Sequence, residues 1–292
     1  MAQLIAGKEV AKSVRMGLKS RIAALKEKGV TPGLAAVLVG DDPASATYVH
    51  SKARACEKLG LYSEIIRRPA DLTQDQLLDI VHRLNNDDRV HGILVQSPVP
   101  SHIDEFAVTL AIDPAKDVDG FHPHNVGLLL IGRPGLISCT PYGIIKLMEY
   151  YDLDPSGKEV VIVGRSNIVG KPIAALLIQK AKWANATVTV AHSRTANLAE
   201  VVRRADIVIA AIGHAGTITA DMVKEGAIVI DVGINRIDDP AAEKGYRLVG
   251  DVDFENVEPR TSWITPVPGG VGVMTIAMLM SNTVLAAENI AG

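Results

Sequence analysis

The sequence predicts an α/β protein of two domains, each organised around a parallel sheet. Two series of apolar, strand-like runs alternate with helical patterns, one before residue 139 and one after residue 158, and such alternation is typical of parallel sheets. The chain is 48% hydrophobic but only 4% aromatic, which suits cores of Val, Ile, Leu and Ala. Its 292 residues match two domains of ordinary size.

The first series begins with a helix over residues 7–28, in which apolar residues recur at helical spacing until Gly29. Asp42 and Pro43 supply an N-cap and an N1 proline for a second helix, which runs to about Leu59. Further helices are predicted at 73–84 and near 104–110, and strands at 34–39, 61–66 and 91–95.

The stretch between the two series contains few regular elements. The run after Val95 is too rich in proline to continue as a strand, and it leads to a charged loop at 116–120. A helix then begins with Thr140 as its N-cap and Pro141 at N1, and it extends to about Tyr151. We interpret this helix as the bridge between the domains.

The second series begins near Lys158 and contains four buried strands. These strands are predicted at 159–163, 187–191, 207–210 and 227–231, with helices at 170–181, at 197–204 and near Asp221. A further edge strand is predicted from Val249 to Val252. The chain closes with a long helix rich in Ala, Met and Leu, from about Met274 to Asn289.

Charge and cysteine content narrow the class of protein. A net charge of -3 gives no reason to expect nucleic acid or an anionic membrane as a partner. Cys56 and Cys139 lie far apart and read as free thiols of a reducing compartment. The N-terminus lacks an apolar signal core, and no run reaches transmembrane length. We therefore expect a cytoplasmic protein.

A glycine corner stands at the start of the second series. The buried run ending at Val163 leads into Gly164, and Gly170 opens a helical pattern six residues later. A strand that feeds a helix through glycines presents backbone N–H groups and the positive helix end to a phosphate, as in Rossmann-type sheets. The spacing departs from the usual dinucleotide fingerprint, because Arg165 and Ser166 fill the corner. An ordinary strand-to-helix turn stays open as the alternative.

The next strand end bears on the choice of cofactor. Enzymes that bind NAD usually carry an acid there for the ribose 2′-hydroxyl, but this strand ends in His192, Ser193 and Arg194. Together with Arg165, these residues favour a 2′-phosphate, because guanidinium groups pair with phosphate oxygens in a bidentate manner. The alternative is two solvated arginines on surface loops.

Several polar residues of the first series could carry chemistry. Ser45, Tyr48, Lys52 and Cys56 share one face of the second helix, although by itself this face favours a solvated stripe beside the core, since most helical lysines are exposed. Gln96 follows a buried strand, where α/β sheets place ligands. Its alternative role is a loop amide bonded to nearby backbone.

Asp117 and Asp119 lie in the charged loop at 116–120, which is too short to hide them. No His or third acid stands at a recognisable spacing from this pair, so we expect no metal site.

Five motifs, taken together and in this order, closely resemble the bifunctional methylenetetrahydrofolate dehydrogenase/methenyltetrahydrofolate cyclohydrolase family. The five are DPASATYVHSK from Asp42 to Lys52, GILVQSP from Gly92 to Pro98, KDVDGF from Lys116 to Phe121, GRSNIVGKP from Gly164 to Pro172, and TPVPGGVG from Thr265 to Gly272. The resemblance covers essentially the whole chain.

The resemblance implies a folate-binding catalytic domain over residues 1–139, completed by the helix at 274–292, and an NADP-binding Rossmann domain over 140–273. It implies an active site in the cleft between them and a homodimer. The implied enzyme oxidises 5,10-methylenetetrahydrofolate with NADP and hydrolyses the methenyl product to 10-formyltetrahydrofolate.

The resemblance also assigns roles to individual residues. Lys52 is the key catalytic group, Gln96 its partner, Tyr48 a stacking and positioning group, and Asp119 the anchor of the pterin ring. Substrate contacts are implied for these four residues and for Val95, Ser97, Pro268, Gly269, Gly270 and Gly272. NADP contacts are implied for Gly164, Arg165, Ser166, Ser193, Arg194 and Ile234.

The chain departs from the family pattern at four positions: Arg54 replaces a lysine, Ser97 a leucine, Ser138 a proline, and Val273 a proline. No catalytic residue is lost. Two other classes are a two-domain dehydrogenase for another small substrate of the shikimate or amino-acid type, and a nucleotide-sensing module without catalysis. The combination of Tyr48, Lys52, Gln96 and Asp119 with the proline-glycine loop argues against the first, and the intact Lys52 argues against the second.

Overall fold

The structure is a computed structural model, and it describes residues 2–242 and 245–292. The chain divides into two compact units, which we name after their main sheets. The three-stranded unit comprises Ser13–Cys139 and Ile276–Gly292, and the six-stranded unit comprises Met1–Lys12 and Thr140–Thr275. The first twelve residues, which the sequence assigned to the earlier domain, therefore cluster with the later one.

Up to residue 139, the chain follows the predicted alternation of helices and strands. In order, the elements are β1 (Gln3–Leu4), α1 (Gly7–Glu27), β2 (Gly33–Val39), α2 (Pro43–Leu59), β3 (Tyr62–Arg68), α3 (Gln74–Asn85), β4 (Gly92–Val95), α4 (Glu105–Ala111) and α5 (Pro123–Leu130). The sequence reasoning missed β1 and α5, which are only two and eight residues long.

From residue 139, the elements are α6 (Cys139–Tyr150), β5 (Glu159–Val163), α7 (Gly170–Leu177), β6 (Thr187–Ala191), α8 (Leu198–Arg203), β7 (Ile207–Ala210), β8 (Ala227–Asp231), β9 (Asn235–Asp238), β10 (Tyr246–Val249), α9 (Phe254–Val257), β11 (Thr261–Ile264) and α10 (Met274–Ala291). Short 3₁₀ turns lie at Ala220–Met222, Glu258–Arg260 and Val271–Val273.

The three-stranded unit is built on the parallel sheet β3-β2-β4. Every residue of β2 is buried, because helices cover both faces of such a sheet. Helix α2 begins as predicted: the Asp42 carboxylate accepts a hydrogen bond from Ser45 N at 2.7 Å, and Gly60 ends the helix in the left-handed region. The carboxyl ends of β2 and β4 thus point to the same edge as the loop that starts α2.

The six-stranded unit has strand order β1-β11-β8-β7-β5-β6, and all of its pairings are parallel. The predicted bounds of β5, β6, β7 and β8 are confirmed. Strands β5, β7 and β8 are largely buried apolar runs, whereas the edge strand β6 alternates Thr and Val and is partly exposed. Strand β1 pairs with β11, which explains why the first residues of the chain belong to this unit.

Three predictions in this unit need correction. Helix α7 ends at Leu177 rather than at 181, and α6 begins at Cys139, so Thr140 lies inside the helix and not at its N-cap. The predicted edge strand at 249–252 is instead β10, which ends at Val249 and pairs with β9 in an antiparallel hairpin. The four-residue strands β9 (NRID) and β11 (TSWI) were missed, because they mix polar and apolar residues and form no continuous apolar run.

The last helix also corrects the expectation that no segment reaches transmembrane length. Within the described residues, one stretch, Val271–Ala291, is long and apolar enough by length and composition to cross a membrane, yet 61% of its most apolar window is buried inside the protein. Core helices of this kind meet the same criterion as membrane spans. Its composition is explained by packing, since Ala277, Met280 and Val284 are fully buried.

Candidate functional site

The exposed and buried positions of α2 show which way its polar face points. Ser45 and Cys56 are buried, Lys52 is half-buried, and Tyr48 keeps 52% of its surface exposed. A solvated stripe would leave all four exposed, so that alternative is excluded. Only the Tyr48 ring is freely available at a surface, where an aromatic face can stack on a flat ligand.

Lys52 meets Gln96 through a direct hydrogen bond. The Lys52 Nζ donates to Gln96 Oε1 at 2.9 Å, and Gln96 Nε2 donates to the Ser97 carbonyl at 2.7 Å. Because Gln96 N also donates to Val37 O at 2.8 Å, the residue continues the ladder of β4 one step beyond Val95. Both ends of the Gln96 amide are therefore fixed, and its oxygen is aimed at Lys52.

The loop that carries Asp117 and Asp119 pairs with β4 through its main chain. Ile93 N donates to Lys116 O at 2.8 Å. Asp117 accepts hydrogen bonds from Phe121 N at 3.2 Å, His122 N at 2.8 Å and Asn125 Nδ2 at 2.8 Å. With 2% exposure, Asp117 is buried, so the expectation that the loop could not hide its acids was wrong. The unpredicted helix α5 supplies the shielding and one of the donors.

Lys52 and Asp119 influence each other electrostatically. Burial raises the pKa of the Asp119 carboxyl to about 6, and the nearby Lys52 opposes that shift. Burial lowers the pKa of the Lys52 amine below its usual range, against the effects of Asp119 and Cys139. Desolvation disfavours both charged forms. Perturbed groups that face one another are characteristic of sites that move protons.

Two further neighbours complete this part of the three-stranded unit. Ser97 is exposed, and its hydroxyl donates to the Glu105 carboxylate at the start of α4. Burial raises the pKa of the Cys139 thiol well above its usual range, and the thiol donates to Val118 O at 3.4 Å. Cys139 is therefore a neutral hydrogen-bond donor rather than a nucleophile.

The proline-glycine loop lies in the six-stranded unit, directly after β11. Gly270 N donates to Pro266 O at 2.8 Å, and Gly7 N donates to Gly269 O at 2.9 Å. A Cβ on Gly270 would lie 2.6 Å from Pro266 O, so only glycine fits this turn. Pro268 and Gly272 are exposed at its surface. The departure at Val273 falls in the 3₁₀ turn that leads into α10.

The glycine corner between β5 and α7 is a tight main-chain cradle. Gly164 has a φ of 136°, and a Cβ there would overlap the Ala211 carbonyl at the end of β7. A Cβ on Gly170 would in turn overlap Gly164 O. The Ser166 hydroxyl accepts hydrogen bonds from Val169 N at 3.1 Å and Gly170 N at 3.4 Å. Both glycines are therefore needed for the close main-chain packing of this corner, which leads into the start of α7, the place where Rossmann-type sheets bind a phosphate.

Two exposed cations flank this corner. Val163 and Ala191 are paired in the register of β5 and β6, so Arg165 and Arg194 follow neighbouring strand ends. Within residues 2–242 and 245–292, neither guanidinium has an ion-pair partner. Ser193 stands exposed between them in chain order. The two guanidinium groups and the Ser193 hydroxyl can donate hydrogen bonds to a phosphate group. This set of donors therefore fits the 2′-phosphate of NADP.

The turn that presents Ser193 and Arg194 is held by its own ends. His192 N donates to Thr195 Oγ1 at 2.9 Å, and Thr195 N donates back to His192 O at 2.8 Å. These bonds close the turn, and the two residues between them, Ser193 and Arg194, are exposed.

Two buried acids that the sequence reasoning missed support the loops of the six-stranded unit. Asp231 accepts hydrogen bonds from Gly233 N, Asp251 N and Val252 N at 2.9–3.0 Å. Burial raises its pKa to about 6, against these three bonds. The sequence feature that could have indicated this role is the position of Asp231, an acid at the end of an apolar strand.

Asp251 is fully buried and accepts from Ile212 N at 2.6 Å, Gly213 N at 2.9 Å and Asn235 Nδ2 at 2.9 Å. It therefore fixes the loops after β7 and β8. The second of these loops carries Ile234, which is half-exposed and against which a Cβ on Gly272 would lie at 2.8 Å. Among the described residues, no group of three or more His, Cys, Asp or Glu is arranged to hold a metal ion.

Comparison with known proteins gives consistent matches along the whole chain. The family model "Tetrahydrofolate dehydrogenase/cyclohydrolase, catalytic domain" matches residues 5–119, and the model "Tetrahydrofolate dehydrogenase/cyclohydrolase, NAD(P)-binding domain" matches residues 138–291. A protein of Chlorobium chlorochromatii described as "Bifunctional protein FolD" is 57% identical over 292 residues, which are 99% of each chain.

Two solved structures are similar over their full length. The bifunctional FolD methylenetetrahydrofolate dehydrogenase/cyclohydrolase of Campylobacter jejuni has a TM-score of 0.93 at 49% identity, covering 99% of this chain and 100% of that one. The methylenetetrahydrofolate dehydrogenase-cyclohydrolase of Trypanosoma brucei, complexed with NADP cofactor and inhibitor, has a TM-score of 0.92 at 40% identity, covering 99% and 98%.

Proposed function

The chain belongs to the tetrahydrofolate dehydrogenase/cyclohydrolase family, and on this premise we propose that it is a bifunctional enzyme of one-carbon metabolism. It oxidises 5,10-methylenetetrahydrofolate to 5,10-methenyltetrahydrofolate with NADP, and it hydrolyses that product to 10-formyltetrahydrofolate. The observation that carries the proposal is the 2.9 Å hydrogen bond from Lys52 to Gln96 with Asp119 beside it, in a chain that both family models match.

The pterin end of the substrate is assigned to Asp119 and Tyr48. An ionised carboxylate accepts two hydrogen bonds, which suits the amino and ring N–H groups of a pterin. The exposed ring of Tyr48 offers a flat apolar face for stacking. The main-chain turn formed by Val95, Gln96 and Ser97 and the loop from Pro268 to Gly272 are assigned to further contacts with the folate.

The cofactor is assigned to the glycine corner and the two strand ends beside it. Gly164 and Ser166 would hold its bridging phosphates, Arg165, Ser193 and Arg194 its 2′-phosphate, and Ile234 its nicotinamide ring. When bound, NADP accepts a hydride from the methylene carbon of the folate. The contribution of the protein to that step is to align the reacting carbon, since no proton has to be captured at the reacting atom.

The hydrolytic step needs proton transfer and is assigned to Lys52. Water adds to the methenyl carbon and loses one proton. As the bridge opens, a ring nitrogen must receive a proton, and the remaining hydroxyl proton is released to solvent as the formyl carbonyl forms. A lysine whose pKa is lowered by burial has a neutral form available to accept the first proton and a charged form to return it. Gln96 supports this exchange, because its oxygen accepts from Nζ and holds the amine in place.

We also propose that the enzyme is a cytoplasmic homodimer. Both cysteines of the chain are buried and unpaired, which supports a reducing compartment. Light scattering during gel filtration tests the assembly, and a mass of about 31 kDa, that of one chain, would contradict a dimer. Fractionation of cells that express the protein at its native level tests the compartment.

The function is tested on one purified sample by two absorbance assays. Hydrolysis of methenyltetrahydrofolate is followed without NADP, and NADP reduction is followed with methylenetetrahydrofolate. We expect both activities. Binding of NADP without either activity would indicate a nucleotide-sensing module, and NADP reduction with only a different small substrate would indicate another kind of dehydrogenase.

A further inference from the structure

Asn282 is a polar residue in the middle of the apolar helix α10, where only 1% of its surface is exposed. Its amide nitrogen donates to Val118 O at 2.8 Å and to Ile137 O at 2.7 Å, and it lies 3.7 Å from Cys139 Sγ. The two N–H groups of the amide are thus committed to two main-chain carbonyls from separate stretches. Burying an amide among apolar side chains is costly without hydrogen-bond partners. The carbonyls of Val118 and Ile137 supply these partners to Asn282.

The two stretches that Asn282 bridges are already in contact. A Cβ on Gly120, whose φ is 71°, would lie 2.5 Å from Ser138 N, so the turn after Asp119 packs directly on the segment before α6. Val118 and Gly120 flank Asp119 on either side. With the carbonyl before Asp119 held by Asn282 and the residue after it packed on Ser138, the main chain of Asp119 is fixed at both ends.

Helix α10 is itself anchored to the helix that carries Lys52. Cys56 Sγ lies 3.6 Å from Met280 Sδ, so α10 contacts α2 one turn beyond Lys52. A bidentate pair also joins α10 to α1, with Arg21 at 2.8 and 2.5 Å from the two carboxylate oxygens of Glu288. The helix is therefore a rigid reference shared by the Lys52 side and the Asp119 side of the three-stranded unit.

We propose that Asn282 is a positioning residue for the folate site, which sets the place of the Asp119 carboxylate through the carbonyl of Val118. The inference rests on the proposed function, in which Asp119 holds the pterin. It predicts that loss of the Asn282 amide weakens folate binding and leaves NADP binding largely intact.

The test compares Asn282→Leu, which keeps the size of the side chain but removes both donors, with Thr283→Val as the matched control. Thr283 is the next residue of α10, is equally buried, and donates only within its own helix, to Leu279 O at 2.8 Å. We expect the KM for both folate substrates to rise roughly tenfold in Asn282→Leu, since misplacement of a positioning group by about 1 Å can cost up to 10²-fold. The KM for NADP should not change.

A double variant separates positioning from general destabilisation. If Asn282 acts through Asp119, then Asn282→Leu should add little to the KM of an Asp119→Asn enzyme, because residues in one network do not act additively. Full additivity of the two changes would overturn the proposal. So would an unchanged folate KM in Asn282→Leu, or an equal rise in Thr283→Val.

A second substitution covers the case in which Asn282→Leu does not fold. Asn282→Ser is small enough to be accommodated and cannot span both carbonyls, so it should raise the folate KM in the same direction by a smaller factor. Failure of the proposed function appears differently, as absence of both activities from the wild-type enzyme.

Discussion

In the three-stranded unit, Lys52, Gln96 and Asp119 are partly withdrawn from water, and Lys52 is hydrogen-bonded to Gln96. In the six-stranded unit, the cations assigned to the cofactor stand exposed at the ends of two strands. Lys52 is fixed by Gln96 at 2.9 Å, whereas Arg165 and Arg194 are held only by their turns. Burial shifts proton affinity, which a proton-transfer site needs. Exposure keeps a guanidinium ready for a phosphate. Substitutions should therefore damage chemistry in the first unit and selectivity in the second.

The largest effect is expected for Lys52→Met, which keeps most of the length of the side chain but removes the amine. A positioned acid–base group typically contributes 10²–10⁴-fold to a step of this kind, so cyclohydrolase activity should fall by roughly that factor. Dehydrogenase activity should survive in part, because hydride transfer depends mainly on alignment. Both activities are measured on the same sample.

Lys58→Met is the matched control for this variant. Lys58 lies on the same helix and is exposed, so its loss should leave both activities at the wild-type level. Hydrolysis that persists in Lys52→Met, in a sample with an unchanged thermal melt, would contradict the catalytic role.

The next effect concerns Asp119→Asn, because an amide cannot accept both pterin hydrogen bonds. A hydrogen bond to a charged group contributes about 1.5–3 kcal/mol, so the affinity for folate should fall roughly 10- to 100-fold. Both activities should decline together while NADP binding is retained. Direct titration with folate measures the change. An unchanged affinity would show that the Asp119 carboxylate does not bind the pterin.

The pH dependence of folate binding tests the same carboxyl without a change in NADP binding. The pKa of Asp119 in the free enzyme is raised to about 6, and the bound pterin favours the ionised form. As the pH falls through about 6, the carboxyl takes up a proton and loses acceptor capacity, so folate affinity should weaken below that pH and level off above it. In Asp119→Asn, this step in the profile should disappear. A wild-type affinity that is flat between pH 5 and 7 would contradict the assignment.

A smaller effect is expected for Arg165→Ala in the six-stranded unit, and it should appear in the choice of cofactor. Each charge-assisted contact to the 2′-phosphate should contribute about 1.5–3 kcal/mol, so NADP should weaken about tenfold or more while NAD changes little. Arg203→Ala is a suitable control, because Arg203 is an exposed arginine of the same unit that donates to Asp221 O. Equal catalytic efficiency of the wild type with NADP and NAD would contradict the proposal.

The two units also differ in how many of their features could be predicted from the sequence. Four strands of the six-stranded sheet, β5 to β8, were predicted at their observed bounds, because their residues are mainly apolar or β-branched. The glycine corner and its arginines were readable for a similar reason, since they follow directly on those strands. Local sequence determines both features.

The three-stranded unit shows where that approach stops. Lys52 and Gln96 could each be singled out, but their hydrogen bond depends on how α2 packs on the sheet. The burial of Asp117 depends on α5, a helix too short to show a period. Asn282 is a buried polar residue whose partners are main-chain carbonyls distant in sequence. No local pattern reports such partners.

The smallest effect is expected for Asp251→Asn. This substitution tests how the loops of the six-stranded unit are held in place, because Asp251 bonds to these loops and is not among the residues assigned to the cofactor. Asp251 accepts from two main-chain N–H groups and from the Asn235 amide. In Asp251→Asn, the new amide oxygen can keep the bonds from Ile212 and Gly213. Asn235 can then turn its own amide and accept from the new NH₂ group. All three partners stay satisfied, so the free energy of unfolding should fall by less than about 1 kcal/mol.

Asp251→Ala leaves the same three donors without a partner, and a buried unsatisfied group costs about 1–3 kcal/mol. The alanine variant should therefore be clearly less stable than the asparagine variant in urea unfolding at pH 7, and it should bind NADP more weakly because the loop that carries Ile234 is released. Adding Asn235→Ala to Asp251→Asn removes the compensating amide and should bring the stability close to that of Asp251→Ala. If Asp251→Asn is already as unstable as Asp251→Ala, the carboxylate charge holds these loops, rather than the number of satisfied hydrogen bonds.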